Sequence, residues 1–124
     1  MTDDELLFFD SMPRMLPIYE AFCQGLADRD LAFTAKVSRT QISLRNRYVF
    51  AAVSLPWHKV KGWPEEYLLV SLGLSYHKES PRVAVATEPY PNRWTHHILL
   101  TTPKEVDAEL LDWTEEAYQF ALIK

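Results

Sequence analysis

Residues 31–55 read LAFTAKVSRTQISLRNRYVFAAVSL, and the period of this stretch decides the fold. In Leu31–Val37, the residues Leu31, Phe33, Ala35 and Val37 alternate with Ala32, Thr34 and Lys36. In Gln41–Arg47, Gln41, Ser43, Arg45 and Arg47 fall on one side, with Ile42 and Leu44 on the other. Tyr48–Leu55 is more apolar throughout. Successive side chains of a strand point to opposite faces, so a period of two predicts β-strands here. The connections are too short for a parallel crossover, which predicts antiparallel pairing of consecutive strands.

Further strands are expected at Tyr67–Tyr76, Ala84–Glu88 and Trp94–Thr101, with the turn-rich Pro89-Tyr90-Pro91-Asn92 between the last two. Pro56–Pro64 reads as a loop holding Trp57 and Trp63, which suits either a sealed core edge or a contact between two copies in a homodimer. Helices flank the strands. Thr2-Asp3-Asp4-Glu5 has capping-box spacing and predicts a short helix to Phe9. A second helix is expected from Pro13 to Leu26, its regular part beginning nearer Leu16 because of Pro17. Leu16, Tyr19, Cys23 and Leu26 would form its buried stripe. Thr102-Pro103-Lys104-Glu105 predicts the start of a last helix, with Val106, Leu110, Trp113, Ala117, Phe120 and Ala121 on one side. Helices, then strands, then a helix describe a single α+β domain over residues 1–124. Its sheet is expected to be mostly antiparallel, with about five or six strands.

Charge is distributed unevenly. Between Leu31 and Pro64 stand Lys36, Arg39, Arg45, Arg47, Lys59 and Lys61 with no acid, whereas both flanks are acidic and the net charge is -4. An acidic protein is a poor general DNA binder, and acidic flanks would repel a phosphate backbone. Cys23 stands alone, which excludes an intrachain disulfide and a cysteine-based zinc site. No run approaches the roughly 20 apolar residues of a membrane span. The start, Met1-Thr2-Asp3-Asp4-Glu5, is acidic where a signal peptide would be basic, so a cytoplasmic location is expected.

The sharpest constellation is the polar line Gln41, Ser43, Arg45 and Arg47, with Lys36 close on the neighbouring strand. Guanidinium forks suit carboxylates and phosphates, and amide and hydroxyl groups add neutral hydrogen bonds. The plainer account is the wet side of an antiparallel sheet. His96 and His97 point to opposite faces of a strand, so they cannot share a metal from one side, and only one can join the polar face. No metal-ligand spacing, nucleophile elbow or glycine-rich phosphate loop is present, and no cofactor is expected.

Two groups of motifs resemble domain-of-unknown-function family 5655, a group of small bacterial domains. Lys36–Leu44 followed by Tyr48-Val49-Phe50-Ala51 is similar to its central strands. Arg93–His97, with Asp107-x-Glu109-Leu110-Leu111-x-Trp113 and Ala117-Tyr118, is similar to its C-terminal strand and helix. Phe8-Phe9 and Leu16–Ala21 fit its opening. The resemblance implies a folding unit and brings no catalytic residue or cofactor. It makes Lys36, Gln41, Ser43 and His97 the positions where a binding site is most worth seeking.

The expected function is a non-catalytic binding domain for a small anionic ligand or an acidic protein surface. Lys36, Gln41, Ser43, Arg45, Arg47 and His97 would supply the contacts. The alternatives are an enzyme whose site assembles around His97, Arg45 and Arg47, and a single-stranded nucleic-acid binder.

Overall fold

The computed structural model describes all residues from Met1 to Lys124. Helix α1 (Asp3–Phe8) opens on the expected capping box: the Glu5 backbone N–H donates to the Thr2 hydroxyl, and the Thr2 N–H donates to the Glu5 carboxylate. A 3-10 turn (Pro13–Met15) leads into α2 (Leu16–Asp28), so Pro17 falls in a first turn, where its missing N–H costs nothing. The buried side of α2 is Ile18, Tyr19, Phe22 and Leu26; Leu16 and Cys23 are only half-buried. The stripe is thus rotated from the expected one, because the bulky Phe22 takes the core position.

Six strands follow: β1 (Thr34–Val37), β2 (Ile42–Arg45), β3 (Val49–Ser54), β4 (Leu68–Leu74), β5 (Val83–Tyr90) and β6 (Arg93–Leu100). They form one sheet in the order β1-β2-β3-β4-β6-β5, antiparallel at every pairing. Consecutive pairing fails once. β6 lies between β4 and β5, because the connection from residue 75 to 82 carries the chain past the neighbouring position to the sheet edge. That connection is fastened to the C-terminal helix α3 (Ala108–Ile123) by Arg82, which donates to Asp107 at 2.8 and 3.0 Å and to Glu109 at 3.1 Å.

The capped segment at Thr102 makes a 3-10 turn (Pro103–Glu105) rather than the start of α3. Asp107 is the true N-cap of α3, its carboxylate accepting from the Leu110 N–H at 3.0 Å. Leu110, Thr114, Ala117 and Ala121 are the buried side of α3, while Trp113 and Phe120 are half-buried at its flanks.

One sheet face carries the core. Cross-strand rows such as Ile42, Val53, Val70 and Ile98 and, beside it, Leu44, Ala51 and Leu72 pack under the helices. Burial on this scale contributes about 1.5–3 kcal/mol for each large aliphatic side chain. The opposite face is half-exposed across Ser43, Ser54, Leu69, Ser71, Thr95, His97 and Leu99.

Candidate functional site

Lys36, Ser43 and His97, three of the residues singled out from the sequence, stand on this second face. Lys36 pairs with Ser43, Ser43 with Ala52, Ala52 with Ser71, and Ser71 with His97. Directly opposed residues share a face, so Lys36, Ser43 and His97 stand in one cross-sheet row. The row is long. Lys36 on β1 and His97 on β6 are four strand spacings apart, about 19 Å at about 4.8 Å each. A small molecule held by Lys36 and Ser43 therefore does not reach His97.

The β1–β2 hairpin brings three of the polar groups together. Ser38 and Gln41 close it: the Ser38 N–H donates to the Gln41 carbonyl at 2.8 Å, and Arg39 and Thr40 form the tip. The Gln41 amide donates to the Ser43 hydroxyl at 3.0 Å. Arg45 is exposed on the same face, opposite Thr34. Here the period-two line ends. Leu44 pairs with Ala51 but Arg45 with Val49, so Phe50 is an extra residue, a β-bulge that turns its ring into the core against Tyr118 at 4.9 Å. Arg47 lies beyond the strand in the turn, its guanidinium 5.4 Å from the Tyr48 ring centroid. Arg45 reaches back to donate to the Arg47 carbonyl at 3.1 Å. The polar line from Gln41 to Arg45 is real, and Arg47 leaves it.

The two histidines divide as neighbours on a strand must. His96 is buried on the core face, where its Nε2 accepts from the Lys78 N–H at 2.9 Å. His97 is on the open face, its Nδ1 2.8 Å from the Ser71 hydroxyl. Burial holds both imidazoles below their ordinary value, so both are neutral at pH 7. Ser71 was invisible as a partner in the sequence, because only the β4–β6 register sets it opposite His97. No group of three or more histidine, cysteine, aspartate or glutamate side chains is arranged to hold a metal ion.

At the hairpin end of the sheet a cleft of about 1020 Å³ opens between α1, the tip of the hairpin and the segment after β3. Arg39 and Gln41 line one wall, Asp4 and Leu7 another, and Trp57 stands at its rim, 86% exposed. Trp63, by contrast, packs edge-on against the buried Tyr67 at 5.7 Å.

These features define a small α+β domain with three helices on one face of a six-stranded antiparallel sheet and a polar row on the other. The chain belongs to the family described as Domain of unknown function (DUF5655), whose profile matches residues 8–121. No curated protein and no solved structure matches it. No helix is long and apolar enough to cross a membrane.

Proposed function

We propose that this chain is a non-catalytic binding domain whose β1–β2 hairpin and the turn after it meet an acidic protein segment. The observation behind this reading is the clustering of four unpartnered bases on one hairpin and the turn that follows it. Arg29, Lys78 and Arg82 close on carboxylates at 2.7, 3.2 and 2.8 Å. Lys36, Arg39, Arg45 and Arg47 have no carboxylate within 4.0 Å, although the chain carries 17 acids against 13 bases. Lysine on an edge strand guards against sheet-to-sheet addition, which accounts for Lys36 but not for the arginines. Bases spread over a hairpin and a turn suit an extended acidic partner better than one small anion, with Gln41 and Ser43 adding neutral hydrogen bonds. His97 lies outside this footprint.

Anisotropy of a labelled glutamate-rich peptide, titrated with wild type and with Lys36→Glu/Arg45→Glu, tests the reading. Charge reversal is expected to weaken binding at least about tenfold, and salt to weaken it in wild type. Equal binding by the two proteins sinks the idea. A single-stranded oligonucleotide that outcompetes the peptide in the same assay replaces it with the nucleic-acid alternative.

One observation favours a second reading, an enzyme at the Ser71–His97 pair. A hydroxyl 2.8 Å from an imidazole is the spacing of a nucleophile and its base. No carboxylate is hydrogen-bonded to His97 to orient the ring. Labelling by a fluorophosphonate probe that Ser71→Ala abolishes would establish a reactive serine; absence of labelling removes this reading.

A further inference from the structure

The cleft between α1 and the hairpin tip has apolar surface that the fold leaves open. Asp4 and Phe8, four residues apart, share one side of α1, with Leu7 beside them. Phe8, Val37 and Leu55 are half-buried and pack on the core, so they form the floor of the cleft. Above that floor Leu7 is 61% and Trp57 86% exposed. The Trp57 ring rests on His58, its neighbour in the chain, at 4.1 Å. One exposed apolar side chain is ordinary, but two bordering one cleft over an apolar floor mark a contact surface.

Size and charge narrow the occupant. Small-molecule sites span about 300–1,000 Å³. At about 1020 Å³ and open to solvent, this cleft suits a side chain that arrives with its own backbone. Arg39 on the hairpin wall has no carboxylate within 4.0 Å, and Lys36 and Arg45 continue the uncompensated charge along the hairpin. Gln41 lines the cleft and also donates to Ser43, so the cleft and the polar line are continuous. Asp4 is on the α1 wall, which keeps the acids of a partner on the hairpin side. Tryptophan and arginine are also the residues that most often dominate binding energy at protein interfaces.

We infer that the cleft seats a large apolar side chain of the same acidic segment that meets the β1–β2 bases. This rests on the acidic-segment reading and adds an anchor to it: the bases attract acidic chains in general, and the cleft selects among them.

Anisotropy with two labelled peptides tests the anchor. They are alike except that one residue beside a run of glutamates is phenylalanine in the first and alanine in the second. Wild type is expected to bind the phenylalanine peptide at least about tenfold tighter. Leu7→Ala/Trp57→Ala trims two exposed side chains, so it should keep its melting temperature and bind both peptides as wild type binds the alanine one. Lys36→Glu/Arg45→Glu should weaken both peptides and preserve their ratio. Neither peptide contains tryptophan, so the phenylalanine peptide should shift the protein's indole emission to the blue, and Trp57→Phe should abolish the shift. Equal affinity of wild type for the two peptides overturns the anchor and leaves the acidic-segment reading standing; no binding of either removes both. A phenylalanine preference that survives in Leu7→Ala/Trp57→Ala also overturns it. So does a dimer, seen by light scattering, that Trp57→Ala dissociates, since the cleft then belongs to a second copy.

Discussion

The backbone N–H of Lys78 donates to Nε2 of the buried His96 at 2.9 Å, which fixes the proton of that imidazole on Nδ1. Nδ1 points toward Leu72 but makes no sound hydrogen bond. Protonating His96 would break the bond to Lys78 and place a charge beside the His77 ring, 6.1 Å away, and the Lys78 ammonium. Burial therefore holds its folded-state value below that of the unfolded chain. The unfolded state then binds more protons at mildly acid pH, so stability is full above about pH 6.5 and falls as pH drops below it. Urea midpoints at pH 7.5 and 5.5 should differ in wild type. In His96→Gln the difference should shrink to the share of His97, which shifts the same way.

Arg82 joins the β4–β5 connection to α3 through Asp107, Glu109 and the Glu105 carbonyl, and its guanidinium lies 5.9 Å from the Trp113 ring centroid. Arg82→Ala removes all of these and leaves the Asp107 cap unsupported. The expected loss is about 1.5–3 kcal/mol in urea unfolding, above the range of an isolated surface pair because the contacts form a network.

Tyr19 ties α2 to α1 by donating its hydroxyl to the Glu5 carboxylate at 2.5 Å inside the core. Burial raises the Glu5 value, but hydrogen bonds from Thr2 and Tyr19 outweigh it and keep the carboxyl ionised. Tyr19→Phe deprives that carboxylate of a donor and should cost about 1.5–3 kcal/mol. A double-mutant cycle with Glu5→Gln should show coupling between the two; additive losses would mean that the hydroxyl acts only through packing.

Trp57 and Trp63 should behave differently. Trp57 is 86% exposed, so Trp57→Ala should change stability by no more than about 0.5 kcal/mol. Trp63 covers Tyr67, and Trp63→Ala should cost about 1–2 kcal/mol. If Trp57 lies in a contact between copies, Trp57→Ala would instead lower the mass measured by light scattering.

How much was legible follows from which residues carry a local signal. The strands around Lys36, Ser43 and Arg45 and the cap at Thr2 were readable because alternation and capping act within a few residues. Asp107 was missed as the cap of α3, because Thr102 and Glu105 offer an equally good box that the chain uses for a 3-10 turn. Ser71 beside His97, and Leu7 on the same cleft as Trp57, had no signal at all. Only strand pairing and the packing of α1 beside the hairpin bring them together.

The sequence by itself determined the α+β class, the antiparallel hairpins, the basic middle third and the opposite orientation of His96 and His97. These depend on period and composition, which are properties of adjacent residues. Only the tertiary structure decided that β6 enters between β4 and β5, that His96 is the buried histidine, and that Lys36 and His97 share a face at about 19 Å. Strand order and register are chosen by the burial of the whole sheet under its helices, and no local pattern encodes that choice.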